Sequence, residues 1–186
     1  MDPISYADRL TMPKCIFNSA GDQFFLPDSW KFYWDELKGE KHLRYMANTD
    51  HGLEAEAYFN MASFYHAVFK GTPRPKYDWS VADDGSIELR CETKPTKVLL
   101  WQATNPETRD FRLELIGEAY TSSEVEEVDG VYRAALPAPE SGWTAYFLEM
   151  EFENPDFPQP FKFTTGVSVL PKTLPHVNTP EPRPNQ

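Results

Sequence analysis

The sequence predicts a parallel α/β unit over residues 1–74, followed by an all-β unit, a β-sandwich, over residues 76–171. The first unit is predicted by two short apolar runs that resemble strands, each followed by apolar residues at helical spacing. The second unit is predicted by several segments in which apolar and polar residues alternate. A Gly-Thr-Pro string at residues 71–73 separates the two patterns.

The first predicted element is a buried strand at residues 13–18, because its short apolar run is closed by the turn at Gly21. The next element is a helix whose first N–H groups can be capped by Asp28 or Ser29, and which ends at Gly39. We expect its aromatic face to pack against a sheet outside these residues, with a substrate pocket as the alternative. This face consists of Trp30, Tyr33, Trp34 and Leu37.

The second strand is predicted at residues 42–47, and a second helix follows it and ends at Gly71 and Pro73. The order strand, helix, strand, helix is one parallel crossover unit with a closing helix. One face of the second helix carries an apolar stripe. The stripe consists of Tyr58, Met61, Ala62, Tyr65, Val68 and Phe69.

Asp22 and His51 each follow one of the two predicted strands, with room between them for a helix and a strand. In doubly wound sheets, functional groups gather at the carboxyl ends of the strands. α/β-Hydrolases carry their catalytic residues in the order Ser, Asp or Glu, then His. The carboxylate orients the imidazole, which takes the proton of the serine hydroxyl. The sequence therefore predicts Asp22 and His51 as the catalytic acid and base.

Other interpretations of these residues remain open. Asp22 could be a turn former, and His51 could be an exposed loop histidine. Asp28 and Asp50 compete for the role of the acid. Asp28 is better placed as a helix cap, and the side chain of Asp50 is expected to point away from His51, its neighbour in sequence.

The serine that this pair would serve is absent, because no Gly-x-Ser-x-Gly string occurs in the 186 residues. Two parallel strands and two helices cannot cover both faces of a sheet, and the aromatic residues of the helices exceed what so small a layer can bury. We therefore expect the C-terminal fragment of an α/β-hydrolase parallel sheet. Such a fragment is inactive alone and has the missing N-terminal hydrolase half as its partner.

The chain resembles the PhoPQ-activated pathogenicity-related proteins over most of its length. The most specific strings are Gly21-Asp22-Gln23-Phe24-Phe25-Leu26-Pro27 and Asn48-Thr49-Asp50-His51. Trp101-Gln102-Ala103-Thr104-Asn105-Pro106 and Thr164-Thr165-Gly166-Val167 extend the resemblance into the second unit. The resemblance implies an α/β-hydrolase-like domain followed by a β-sandwich, in proteins often exported by bacteria and linked to virulence. No signal peptide precedes the first strand of this sequence.

In the second unit, about seven short strands fit an immunoglobulin- or fibronectin-like β-sandwich. Alternation is clearest at residues 87–91, 111–115 and 146–152, and further strands are predicted at residues 77–81, 98–103, 131–136 and 161–169. The acidic runs 124–129 and 149–153 are expected to be solvated strand faces. Residues 172–186 are expected to form a Pro-rich disordered tail.

Composition restricts the partners. The chain has 18 Lys plus Arg against 29 Asp plus Glu, a net charge of −11 and no basic cluster, so we expect no nucleic acid partner. No apolar stretch is long enough for a membrane span. His42, His66 and His176 lack metal-ligand spacing, so neither a metal nor another cofactor is expected.

Cys15 and Cys91 fall in different predicted units, so we expect buried apolar thiols and no disulfide.

Two functions are consistent with the sequence. In the first, the chain is the distal portion of a serine hydrolase that acts on an ester or an amide. In the second, the hydrolase fold is a non-catalytic scaffold, and the β-sandwich binds a small-molecule, peptide or protein ligand.

Overall fold

A computed structural model describes residues 3–174 as a mixed α/β fold that is mostly sheet with few helices. The strands are β1 Lys14–Ser19, β2 Lys41–Met46, β3 Tyr77–Val81, β4 Ile87–Cys91, β5 Lys97–Asn105, β6 Thr121–Glu124, β7 Tyr132–Ala134, β8 Trp143–Phe152, β9 Phe161–Thr164 and β10 Ser168–Leu170. The helices are α1 Ala55–Lys70 and α2 Leu113–Ile116, and 3-10 turns cover Pro3–Arg9, Ser29–Phe32 and Trp34–Glu36. In the part of the chain from 3 to 174, none of the helices has the length and apolar character needed to cross a membrane.

Strands β1 and β2 pair in parallel along their whole length, from Lys14 opposite Lys41 to Ser19 opposite Met46. The parallel pair predicted from the two apolar runs is therefore confirmed. The backbone N–H of Ala20 donates to the carbonyl of Met46 at 2.9 Å, and that of Gly21 donates to the carbonyl of Thr49 at 3.1 Å. The segments that follow the two strands consequently lie side by side.

The two predicted units share one sheet. Its strand order is β1-β2-β9-β8-β5-β6, with β10 also paired to β8, and a second sheet has the order β3-β4-β7. The connection between the units is the antiparallel pair of β2 and β9, where Leu43 lies opposite Thr164. A boundary near residue 75 stays a prediction, because strands from either side of it are hydrogen-bonded to each other.

Two apolar clusters form the core. The first lies where the inward residues Ile87 and Leu89 of β4 meet Leu148 and Met150 of β8, as the alternation of both strands predicts. The second cluster uses the opposite residues of β8, including Phe147, so this strand is buried on both faces. Its other members include Leu43, Tyr45, Ala103, Phe111, Ala145, Val167 and Val169.

The expectation that the acidic run 149–153 is solvated is wrong for Glu149, which is buried. Its carboxylate accepts a hydrogen bond from Nη1 of Arg44, whose side chain is only 2% exposed. Nε of Arg44 donates to Oδ1 of Asn60 in α1 at 3.0 Å. A buried ion pair is tolerated only when its polar groups are hydrogen-bonded in this way. These contacts of Arg44 join β2, β8 and α1.

The predicted helix after Asp28 is instead two 3-10 turns, and its tryptophans pack within this chain rather than against an outside sheet. Trp30 and Trp34 contact the ring of Trp79 at centroid distances of 5.0 Å and 5.4 Å. Nε1 of Trp30 also donates to the carbonyl of Val167 at 2.9 Å. The indole of Trp30 covers Gly166, where an added Cβ would lie 2.2 Å from it.

Helix α1 is confirmed as a helix, but its apolar stripe does not face the sheet. The buried residues are Ala57, Asn60, Ser63 and Ala67, whose small or polar side chains allow the helix to lie close to the strands. The stripe faces outward, with Tyr65 73% and Phe69 79% exposed. Periodicity identified the helix but not the face that contacts the sheet.

The strand predicted at residues 111–115 is wrong, because this segment is a loop followed by the short helix α2. Phe111 is buried in the second cluster, while Leu115 is 54% exposed. The backbone N–H of Leu113 donates to the carbonyl of Gly21 at 2.9 Å, which ties the segment to the end of β1. That long-range hydrogen bond takes the place of a strand ladder.

The predicted strands at residues 77–81, 98–103, 131–136 and 161–169 are present, the last one divided into β9 and β10. Both cysteines are free and pack against the first cluster. Burial raises the pKa of the Cys91 thiol to about 12, and it raises the pKa of the Cys15 thiol further. From residue 175 onward, the predicted Pro-rich tail lies outside the described residues.

Candidate active site

The structure brings Asp22 and His51 together. Nδ1 of His51 lies 2.9 Å from Oδ2 of Asp22. The aspartate side chain is 7% exposed and the histidine side chain is 49% exposed. A carboxylate buried beneath a half-exposed imidazole can orient the ring while leaving its outer edge accessible.

The in-register pairing of β1 and β2 positions the two residues, because it brings both carboxyl ends to one edge of the sheet. The close approach continues beyond the strands and requires a glycine before Asp22. A Cβ at Gly21 would lie 2.7 Å from the carbonyl oxygen of Thr49 and 3.0 Å from the backbone nitrogen of Leu113. A larger residue would therefore push apart the loops that carry the pair.

Asp22 divides its two carboxylate oxygens between different partners. Oδ1 accepts hydrogen bonds from the backbone N–H groups of Phe24 at 2.7 Å and of Phe25 at 3.2 Å. Oδ2 is thereby directed to His51. Because an ionised carboxylate only accepts hydrogen bonds, Nδ1 of His51 carries the proton and Nε2 of the neutral ring has the lone pair.

Three further contacts fix the position of His51. The backbone N–H of His51 donates to Oε1 of Gln23 at 3.2 Å. The ring of Phe24 meets the imidazole edge to face at a centroid distance of 4.9 Å, and the ring of Phe25 lies at 5.9 Å. Within residues 3–174, no group forms a hydrogen bond with Nε2 of His51. The ring is oriented, and its basic nitrogen is free to accept a proton.

Hydrogen bonds of the Asn48 and Asp50 side chains hold the loop from Asn48 to Leu53 in place. Asn48 has a φ of 54°, which is accessible to asparagine, and its side-chain amide exchanges two 2.9 Å hydrogen bonds with the backbone of Tyr120. Oδ1 of Asp50 accepts from the backbone N–H of Gly52 at 2.8 Å. Asp50 therefore closes the turn beneath His51 and is not the residue that orients the imidazole.

Asp28 precedes the first 3-10 turn but makes no side-chain cap there, so the predicted capping role is wrong. Its buried carboxylate instead pairs with Arg109, with Nη2 of the arginine 2.6 Å from Oδ2, and with Lys31. Burial raises the pKa of Asp28, but the hydrogen bonds from Arg109 and Lys31 outweigh it, so that the net pKa lies below the ordinary value. No local sequence signal points to this pair, because its members lie in different loops.

A groove of about 1020 Å³ begins at Asp22. Phe24 and Phe25 lie in its wall and also touch the ring of His51. The segment around α2 also lines the groove, including Arg112 and Leu115. The alternation at residues 111–115 predicts a strand, so the sequence does not indicate this groove.

A second polar cluster lies elsewhere, around His42, which is buried. Nδ1 of His42 lies 2.8 Å from the hydroxyl of Tyr77, and Nε2 lies 3.0 Å from Oε1 of Glu40. Burial lowers the pKa of His42 despite the opposing effect of Glu40, and burial also raises the pKa of Tyr77. Both groups are therefore neutral internal hydrogen-bonding partners.

No group of three His, Cys, Asp or Glu side chains with an arrangement fit for a metal ion occurs within residues 3–174. The chemistry that the site can supply on its own is proton transfer at His51. Asp22 can stabilise the resulting imidazolium.

The model of the PhoPQ-activated pathogenicity-related protein family matches residues 1–112, which include β1, β2, Asp22 and His51. The chain belongs to this family. It is also similar to autocrine proliferation repressor protein A of Dictyostelium discoideum, with 34% identity over 94% of this chain. The chain spans 41% of the length of that relative. None of the solved structures matches the chain.

Proposed function

We propose that this chain is the distal portion of a serine-hydrolase-like member of the PhoPQ-activated pathogenicity-related family, with Asp22 as acid and His51 as base. The observation that carries the proposal is the 2.9 Å contact between Nδ1 of His51 and Oδ2 of Asp22, with the opposite ring nitrogen free. The same arrangement recurs in serine hydrolases of unrelated folds.

In the proposed reaction, Nε2 of His51 takes the proton of a serine hydroxyl as the oxygen attacks the carbonyl of an ester or amide. Asp22 stabilises the imidazolium that forms. His51 then donates the proton to the leaving alcohol or amine, and the acyl-enzyme is hydrolysed by water. Each proton transfer uses Nε2 of His51.

We place the serine outside these 186 residues, because they contain no Gly-x-Ser-x-Gly string. The chain spans 41% of the length of its Dictyostelium relative, which leaves ample sequence for a nucleophile in a protein of that size. Under this proposal, β1, β2 and α1 are the C-terminal part of an α/β-hydrolase sheet. Strands β3 to β10 then form an immunoglobulin- or fibronectin-like sandwich.

The surface beside β1 supports the proposal that the serine lies outside these 186 residues. β1 is the edge strand of its sheet, so one side of its backbone is unpaired among the described residues. Beside it, Phe17 and the outward residues Met61 and Tyr65 of α1 line an open apolar hollow of about 450 Å³. A protein as long as the Dictyostelium relative, the family-length protein, would contain the nucleophile in its remaining part. We propose that this part adds strands to the edge of β1 and covers α1.

A fluorophosphonate, which forms a covalent bond with activated serines, tests the proposal. The family-length protein should be labelled, whereas the 186-residue chain should not. His51→Ala should abolish labelling, and His66→Ala, a histidine of α1 outside the site, should leave it unchanged. Equal labelling of the His51→Ala variant and the parent protein would remove His51 from the mechanism.

A second candidate function is a non-catalytic scaffold in which the β-sandwich binds a signalling partner. The name of the Dictyostelium relative, a proliferation repressor, favours this candidate. It predicts that the family-length protein is not labelled at all and that His51→Ala leaves its biological effect intact. The labelling experiment therefore separates the two functions.

A further inference from the structure

The groove beside the candidate active site has large apolar side chains exposed in its walls. Phe24 is 70% exposed, and Phe25, Leu26 and Leu115 are each more than half exposed. Isolated exposed apolar side chains are common, but a cluster that lines a concavity is typical of a binding site. The groove is thus equipped to remove an apolar group from water.

The groove adjoins the Asp22–His51 pair at Asp22. Asp22, Phe24 and Phe25 lie in its wall, and the rings of the two phenylalanines also contact the imidazole of His51, which is not itself in the wall. A substrate whose carbonyl is at His51 would therefore pass its chain over the rings of Phe24 and Phe25 to enter the groove. Its volume of about 1020 Å³ is at the upper end of the range usual for small-molecule sites.

Both arginines in the wall of the groove form ion pairs within the protein. Arg109 is bound to Asp28, with Nη2 2.6 Å from the carboxylate. Arg112 is bound to Asp110 at 2.7 Å and to Glu114 at 2.8 Å. Glu107, also in the wall, is exposed and forms no ion pair among the described residues, so the groove disfavours an anion. Its exposed apolar side chains favour an uncharged chain.

We propose that this groove binds the uncharged, apolar acyl chain of the substrate, so that the preferred substrates carry a long acyl group. The inference rests on the proposed hydrolase function for the identity of the ligand. The chemical class of the ligand, an uncharged apolar chain, is inferred from the geometry of the groove. A binding experiment alone can therefore test that class.

The binding experiment uses the 186-residue chain and N-decyl dansylamide, an uncharged fluorescent probe, with dansylamide as the probe that lacks the chain. We expect the decyl probe to bind and dansylamide to bind at least tenfold more weakly. A third probe, 11-(dansylamino)undecanoic acid, ends in a carboxylate and should also bind more weakly than the decyl probe. Equal binding of the decyl probe and dansylamide would overturn the proposal.

Two matched variants locate the bound probe. Leu115→Glu places a charge in the groove wall, and Phe69→Glu places one on the exposed face of α1. Because both side chains are mainly exposed, both variants should keep the circular dichroism spectrum of the parent chain. Leu115→Glu should weaken binding of the decyl probe at least tenfold, and Phe69→Glu should not change it. The reverse result would place the probe on α1 and overturn the proposal.

Ester hydrolysis by the family-length protein separates this inference from the proposed function. We expect kcat/KM to rise at least tenfold from p-nitrophenyl acetate to p-nitrophenyl decanoate, and Leu115→Glu to remove that rise. Hydrolysis without chain-length preference would overturn the groove inference alone. Binding of the decyl probe at Leu115 without any hydrolysis would overturn the hydrolase function and retain the apolar groove.

Discussion

Oδ2 of Asp22 lies 2.9 Å from Nδ1 of His51, and this contact joins the loops that follow two parallel strands. The other oxygen of the carboxylate is occupied by the N–H groups of Phe24 and Phe25. The aspartate therefore presents one oxygen to the histidine in a fixed direction.

Asp22→Asn should reverse the tautomer of His51. The amide oxygen remains the better acceptor for the N–H groups of Phe24 and Phe25, so its NH₂ group turns toward Nδ1 of the imidazole. The ring proton then moves to Nε2, and we expect kcat of the family-length protein to fall by roughly 10³- to 10⁴-fold. Nitrogen NMR of the 186-residue chain reports the tautomer directly. An unchanged tautomer in the variant would contradict the assigned role of Asp22.

Gly21→Ala should destabilise the chain, because its Cβ would lie 2.7 Å from the carbonyl oxygen of Thr49. Forced overlap with backbone typically costs about 1–3 kcal/mol of unfolding free energy. Gly52→Ala is the matched control, since its Cβ would meet only the side-chain oxygen of Asp50, at 3.1 Å. Urea unfolding compares the two, and equal stability of both variants would contradict the close approach at Gly21.

Glu149→Gln should lower the unfolding free energy by about 3 kcal/mol, because it removes the closer and more buried of the two carboxylates that pair with the buried guanidinium of Arg44 and leaves only Glu56, at 3.6 Å. Glu151→Gln on the same strand is the control, since that carboxylate is about one-third exposed and should change stability little. The double replacement Arg44→Met with Glu149→Leu should recover most of the loss, because it removes both charges. Urea unfolding measures all three variants.

Stability should decrease below about pH 6.5 through His42. Burial places the pKa of folded His42 below its ordinary value of 6.5, so the unfolded chain binds this proton more readily. The contribution is present above pH 6.5 and is lost as the pH falls toward the folded-state pKa. Urea unfolding from pH 7.5 to 5.5 should show this loss, and His42→Gln should remove that component. His66→Ala, also a histidine variant, should retain it.

Tyr65→Ser should have different effects in the short chain and in the family-length protein. Tyr65 is 73% exposed on α1, so its replacement in the 186-residue chain should change the unfolding free energy by less than about 0.5 kcal/mol. If the rest of the protein covers α1, the same replacement should cost roughly 1–3 kcal/mol there. A negligible cost in both proteins would contradict docking at this surface.

The sequence predicted the local elements well where periodicity is strong. The parallel pair of β1 and β2, helix α1 and the alternation of β4 and β8 are all visible in the pattern of apolar residues. The contact between Asp22 and His51 also follows from local order, since the ends of two in-register parallel strands must lie together. The catalytic role of the pair stays a proposal.

Which face of an element is buried depends on partners that are distant in sequence. The indole of Trp30 has a place inside this chain because Gly166, far along the sequence, leaves bare backbone for it to cover. Glu149 is in an acidic run that resembles a solvated face, yet Arg44, 105 positions away, draws it into the interior. No window of neighbouring residues contains both members of such pairs.

By itself the sequence determined the parallel pair of β1 and β2, helix α1, most strands of the second unit, and which two polar residues follow the parallel strands. The tertiary structure alone decided that α1 turns its aromatic face outward, that strands from both units share one sheet, and that a groove opens beside Asp22. The physical reason is that periodicity records the two faces of an element. Which face is buried is fixed by the free energy of contacts with residues elsewhere in the chain.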